Sequence, residues 1–222
     1  GYAVPEFWRE AIEAGYWQDG RFYSRTGPYS FGSPFDLPNH PVVGVSWYEA
    51  VAFTHWLTEH LRAAHSLPPD LEVRLPTASE WEKAARGGLY LSVGAALVAA
   101  RTLASAHQLS QANPPACHPN PRRLYPWGDE PDPDNANCEE TEINTTSPVG
   151  AFTRGTGPYG AAELSGNVWE WLLQEPGDLA GGAYWNDVGG VTSAARFGRS
   201  PAYWGLSLGF RCVVVPISRE PF

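Results

Sequence analysis

The sequence predicts an α+β domain: helices first, then short strands joined by long irregular loops. Two capping boxes, Ser46 with Glu49 and Thr77 with Glu80, each open a stretch with apolar residues at helical spacing. After Gly155, short strand-like pieces alternate with Gly-rich turns. With 23 Gly, 21 Pro, 10 Trp and 10 Tyr, the chain is rich in turn formers and in large rings that can anchor loops in place of an extended sheet. Helices segregated from strands in this order make an α+β layer arrangement.

The elements follow in chain order. Residues 5–14 (PEFWREAIEA) read as a short amphipathic helix stopped by Gly15, and residues 16–41 as irregular. Val42 to Val45 reads as a short apolar strand. The helix from Ser46 sets Ala50, Phe53, Trp56, Leu57 and Leu61 on one face, and Trp47, Trp56 and Trp81 are expected to fill the core. The helix opened by Thr77 ends at Gly87 and Gly88. An insertion is expected over 88–124, with a helix from Ser92 to Leu109. Residues 129–144 are acidic and Asn-rich without a periodic pattern, and the last strand is expected over 208–215.

At 222 residues one domain spanning 1–222 is expected, burying about 70% of its unfolded surface. A net charge of −9 argues against a nucleic-acid partner, which needs clustered cations. No apolar run reaches the roughly 18 residues of a membrane span. Three cysteines without a C-x-x-C pair exclude a disulfide framework and a cysteine-rich zinc site. The chain has no Met, which predicts the C-terminal part of a longer protein. A single lysine among 15 basic residues suggests a GC-rich genome. A prokaryotic source is expected, and the compartment, cytoplasmic or cell-surface, is left to the part expected to precede the chain.

Eight strings stand in one order: HPVVGVSWYEAVAFTHWL (40–57), RLPTASEWEKAARGG (74–88), YPWGDE (125–130), SPVGAF (147–152), LSGNVWEW (164–171), GGAYW (181–185), SAAR (193–196) and LGFR (208–211). This set resembles the formylglycine-generating enzyme, or sulfatase-modifying factor, family from about residue 40 to 215. The resemblance implies a C-type-lectin-like fold: two helices, small twisted antiparallel sheets and long functional loops.

Oxidising members of that family place two copper-binding cysteines after a G-G-S-Y-like strand. Here Ala183 stands for the serine, and Trp185 to Thr192 contains no cysteine. Soft thiolate ligation is not replaced by Asn, Asp or Gly, so no copper and no oxidase chemistry are expected, and the catalytic set is empty. The six histidines have no metal spacing, and no nucleophile elbow or phosphate loop is present. The resemblance does imply structural calcium. Carried over by position, Glu163 and Glu170 would supply side-chain oxygens, and Gly166 and Val168 carbonyls. A second site would use Asn137 and the carbonyl of Cys138, although Thr141, flanked by Glu140 and Glu142, stands where an acid is expected.

Residues 181–211 (GGAYWNDVGGVTSAARFGRSPAYWGLSLGFR) resemble one subset of the family more closely, the variable proteins of diversity-generating retroelements. In that system miscopied template adenines change selected codons, and Trp, Glu, Gln, Lys and Met do not arise. The resemblance implies a diversified ligand-binding surface made of Trp185, Asn186, Asp187, Gly189, Gly190, Phe197, Gly198, Arg199, Ser200, Tyr203, Trp204, Gly205, Leu206 and Ser207, in which the two tryptophans would be fixed. The expected partner is a protein or other macromolecule, because Trp, Tyr, Phe and Arg dominate interface hot spots. The expectation is therefore a binding protein; the alternative is an enzyme, or the accessory domain of one, of the formylglycine-generating type.

Overall fold

The computed structural model describes residues 1–91 and 116–217, so the helix expected over 92–109 lies outside the described residues. Before and after that gap the chain pairs with itself, Tyr90–Leu91 (β4) running antiparallel to Ala116–Cys117 (β5).

The N-terminal helix is broken in two. A 3-10 turn, Pro5–Phe7, is followed by α1, Arg9–Glu13, with Trp8 between them at φ −109 and ψ 22. The indole of Trp8 is buried against Tyr2, Trp17 and Phe22 and donates to the Gly1 carbonyl at 3.1 Å. Ring packing therefore outweighs helical continuity over so few residues. Next comes a two-residue hairpin, Trp17–Gln18 (β1) with Arg21–Phe22 (β2), inside the stretch expected to be irregular. Its turn, Asp19-Gly20, has positive φ at both positions, as a tight hairpin requires.

No strand forms at 42–45. Gly44 has φ +75, and a Cβ there would lie 2.0 Å from the Tyr29 carbonyl oxygen, so the chain turns where the strand was expected. Val43 and Val45 are nevertheless buried.

Both capping boxes form. Ser46 opens α2, Trp47–Ala63, and Thr77 opens α3, Ala78–Arg86; in each the Glu three residues on bonds back to the cap. The buried stripe of α2 is Trp47, Ala50, Val51, Thr54 and Thr58, rotated from the face predicted. Phe53 is exposed, and Trp56 lies partly exposed on the His60 ring. Two threonines can line a core because their hydroxyls are satisfied locally: Thr54 donates to Val51, and Thr58 to Thr54 while accepting from the amide of Val73.

Strand β3, Leu71–Arg74, pairs antiparallel with β10, Val213–Pro216. The larger sheet has four short strands in the order β8-β7-β6-β9: Arg196–Gly198, Asp178–Ala180, Trp169–Trp171 and Leu208–Gly209. The expected final strand is thus divided between two sheets. The main core joins Trp47, Ala50 and Val51 of α2 to Trp169, Trp171, Leu179 and Leu208 of that sheet. Trp81 and Ala85 of α3 pack with Leu164, Leu172 and Ala180. None of the described helices is long and apolar enough to cross a membrane.

Candidate functional site

Glu170, at the centre of β6, is buried and fully occupied. Its Oε2 accepts from the indole of Trp81 at 2.7 Å and from Arg211 Nε at 2.5 Å, and its Oε1 accepts from Arg211 Nη2 at 2.6 Å. The same Nη2 also donates to the carbonyls of Ala162 and Glu163. The W-E-W and G-F-R motifs therefore meet in one ion pair. This corrects the expectation of Glu170 as a calcium ligand: both oxygens are taken, and the guanidinium beside them opposes a divalent cation. The neighbouring Glu163 carboxylate accepts not from Arg211 but from the Gly150 amide at 3.0 Å and from Asn167 Nδ2 at 3.3 Å. Withdrawal from water is the main force pushing its carboxyl above the usual range. With Glu170 withdrawn, this oxygen set does not fit calcium.

The second expected site is tied up in a similar way. Thr141 Oγ1 lies 2.7 Å from the Cys138 carbonyl and 3.2 Å from Asn137 Oδ1, so its hydroxyl spans the two oxygens a cation would have joined. The Thr141 amide also donates to the Cys138 carbonyl at 3.1 Å. Around them Asn167, at φ +64, works as a knot. Its amide donates to the Asn137 carbonyl, its carbonyl accepts from Tyr184, and its side chain bonds both the amide and the carbonyl of Ser147. Gly166 lies so close to Asn137 that a Cβ would stand 2.1 Å from the carbonyl oxygen. Gly166 and Val168 are both buried. Three loops are held here by hydrogen bonds. Arg211 and Trp81 are not legible as partners in the sequence, since they lie 41 and 89 residues from Glu170.

The candidate variable stretch separates into a buried frame and an outer face. Ala183, Tyr184, Val191, Ser193, Ala202, Leu208 and Gly209 are buried. Trp185 (45% exposed), Tyr203 (49%) and Leu206 (38%) stand outside with Gly198, Arg199 and Ser200. Phe197 is half-buried, stacked on Trp169 at 5.4 Å, and the Arg199 guanidinium lies 4.3 Å from its ring centroid and 5.8 Å from that of Tyr203. Phe197, Arg199 and Tyr203 thus form one cluster. Trp204 is wedged between Tyr23 and Arg25, whose guanidinium lies 4.3 Å from the indole and also pairs with buried Glu49 at 3.0 Å. Ser207 is half-buried, with its carbonyl accepting from the Trp169 amide.

Four expected contact residues are drawn into the scaffold instead. Asn186 Oδ1 accepts from the Ala183 amide, and the Asn186 carbonyl accepts from Glu139. Asp187 caps the 3-10 turn Val188–Val191, accepting from the Gly190 amide at 2.7 Å. A Cβ on Gly190 would sit 3.1 Å from Asp187 Oδ1. Gly205 is buried, and its carbonyl accepts from the Gly44 amide. Gly189 remains exposed at the head of that turn.

Burial pushes the Cys138 thiol up to about 12, and Cys212 up to about 11, so both are protonated at neutral pH. Among the described residues no three His, Cys, Asp or Glu side chains gather as a metal site.

Residues 33–216 match the family model of the sulfatase-modifying factor enzyme 1-like domain. The chain belongs to this family. It is 34% identical over 182 residues to a formylglycine-generating enzyme of Thermomonospora curvata, an alignment covering 76% of this chain and 42% of that protein. It is 29% identical over 194 residues to the inactive Cα-formylglycine-generating enzyme 2 of Bos taurus, covering 78% and 49%. The chain thus spans less than half the length of these relatives. Among solved structures, CarF superposes with a TM-score of 0.56 at 24% identity, covering 96% of this chain and 81% of that one. Variable protein 1 of Treponema denticola superposes with a TM-score of 0.52 at 19% identity, covering 86% and 75%. The α+β, C-type-lectin-like fold is shared with these structures.

Proposed function

We infer that this domain is a non-catalytic binding module whose C-terminal stretch displays changeable side chains to a protein ligand, as in the variable proteins of diversity-generating retroelements. The carrying observation is the division within 181–211: exposed side chains alternate with a buried frame fixed by β6, β9 and the Glu170–Arg211 pair. A surface that accepts many residue types without unfolding needs that separation. The contact set is Trp185, Phe197, Gly198, Arg199, Ser200, Tyr203, Leu206 and Ser207, with Gly189 at its edge. Trp204, held by Arg25, serves as a fixed anchor. Rigid aromatics and an arginine give such a face contact area at low entropic cost. Against oxidase chemistry stands the absence of cysteine from Trp185 to Thr192.

A displayed library randomised at positions 198, 199, 200, 203 and 206 tests this reading. Most members should remain protease-resistant, and panning on immobilised lysozyme should enrich clones that differ at those positions. General loss of protease resistance would overturn the reading. The enzymatic alternative, favoured by the 34% identity to a formylglycine-generating enzyme, has its own assay. A cysteine-containing sulfatase peptide incubated with the protein, copper and oxygen should gain no aldehyde; aldehyde formation would establish the enzyme.

A further inference from the structure

A cleft of about 380 Å³ opens beside the G-N-V-W-E and G-F-R motifs. It is lined by apolar Val42, Phe53, Val149 and Phe210 and by polar Glu163, Asn167, Glu170 and Arg211. Val42 and Val149 are 61% and 62% exposed, and Phe53 meets Phe210 edge to face at 5.4 Å. Exposed apolar side chains gathered around a concavity with a few polar groups at its base are the usual make-up of a small-ligand site.

The charges lining the cleft decide the kind of ligand. Arg211 is committed to both oxygens of Glu170 and to two carbonyls, so that pair is neutral. The Glu163 carboxylate accepts from the Gly150 amide, the Asn167 side-chain amide and the Phe152 backbone, and Arg211 acts on it from beyond ion-pair distance. A carboxylate with no ion-pair partner among the described residues, in a cleft that two phenyl rings also line, favours an organic cation, attracted by the carboxylate and by the negative faces of the rings. Anions meet the same carboxylate as repulsion, and a neutral body of equal size gains only the apolar contacts.

We propose that this cleft is a binding site for a small organic ammonium carried on a short apolar body, with Glu163 as its counter-ion and Phe53 and Phe210 as its walls. The site is built from other residues than the outer face of 185–207, and it does not depend on that face binding anything.

Titration of the isotope-labelled protein with phenethylammonium chloride, followed by amide and methyl chemical shifts, tests the site. Saturating shifts should concentrate at Val42, Val149 and Phe210. The same titration with 3-phenylpropanol should give only weak, unsaturated shifts, and with 3-phenylpropionate none. Glu163→Gln keeps an oxygen for the Gly150 amide and should weaken phenethylammonium binding at least tenfold. Phe53→Ala, at an exposed helix position, should weaken it several-fold. The proposal is overturned by an absence of saturating shifts, by equal affinity in Glu163→Gln, or by equal binding of the propionate. Should Glu163→Gln fail to fold, unchanged affinity in Phe53→Ala overturns it. Calcium chloride alone producing the same shifts and displacing the amine would make this a metal site instead.

Discussion

Two groups of aromatic side chains, one on the helices and β6 and one around β8 and the loops of the C-terminal stretch, do opposite work. Trp47, Trp81 and Trp171 are buried, and each indole N–H is spent on a partner from a distant segment: the carbonyl of Leu172, the carboxylate of Glu170 and the carbonyl of Val45. Tyr203 and Trp185 stand about half in solvent, and Phe197 turns one face to Trp169 and the other to Arg199. The first group replaces an extended sheet interior by locking loops to helices. The second contributes contact area to the surface. Ring count does not separate them; what separates them is enclosure, since the first three indoles are buried with their N–H groups satisfied while Tyr203 and Trp185 reach solvent.

The largest effect that would sharpen this contrast is expected at the frame. Glu170→Ala strands the Arg211 guanidinium and the Trp81 N–H together, and should lower unfolding free energy by about 3–5 kcal/mol in urea titration. A loss under 1 kcal/mol would mean the pair is not part of the frame. Phe197→Ala should fall in between, at about 1–2 kcal/mol, because one face of the ring is buried against Trp169. Thr141→Ala removes the hydroxyl that spans Asn137 and Cys138 and should cost about 1 kcal/mol. In the unsubstituted protein a chelator should leave the melting temperature unchanged; a clear drop would restore calcium to these loops.

A smaller effect is expected in acid. Arg74 grips Glu80 through two hydrogen bonds of 2.7 and 2.8 Å and, with the cap at Thr77, lowers its carboxyl to about 2. The folded value lies below the unfolded one of about 4.3, so this contribution is present above that pH and lost as pH falls toward 2. Glu80→Gln should flatten that part of the acid stability profile. The smallest effect belongs to Tyr203→Ala, which should stay within about 0.5 kcal/mol of the parent. A drop as large as that of Phe197→Ala would place Tyr203 in the frame and erase the distinction.

The helices were legible in the sequence because a capping box is local: Ser46 and Glu49, or Thr77 and Glu80, meet within three residues. The buried face of α2 was less so, since Thr54 and Thr58 enter the core through hydroxyl bonds that apolar spacing does not register. The Asp19-Gly20 turn is legible from its residue types, although the glycine-rich stretch around it reads as irregular. Val42 to Val45 misled because the apolar run contains Gly44, whose conformation is set by the Tyr29 carbonyl against it. At the candidate site, the motif frame identified the stretch that carries the exposed face. Which of its residues face out depended on long-range partners: Gly44 for Gly205, Arg25 for Trp204, Glu139 for Asn186. The loss of Glu170 to Arg211 was equally hidden, because nothing local ties two motifs 41 residues apart.

The most direct test of the central claim is deep resequencing of the coding segment for residues 160–222 across a population of the source organism. The account predicts substitutions concentrated at 197–200, 203, 206 and 207, at positions matching adenines in a nearby template copy. Residues 181–184, 191, 193, 202, 205 and 208–211 should stay constant. A uniform stretch, or substitutions that fall on the buried frame as often as on the outer face, would contradict it.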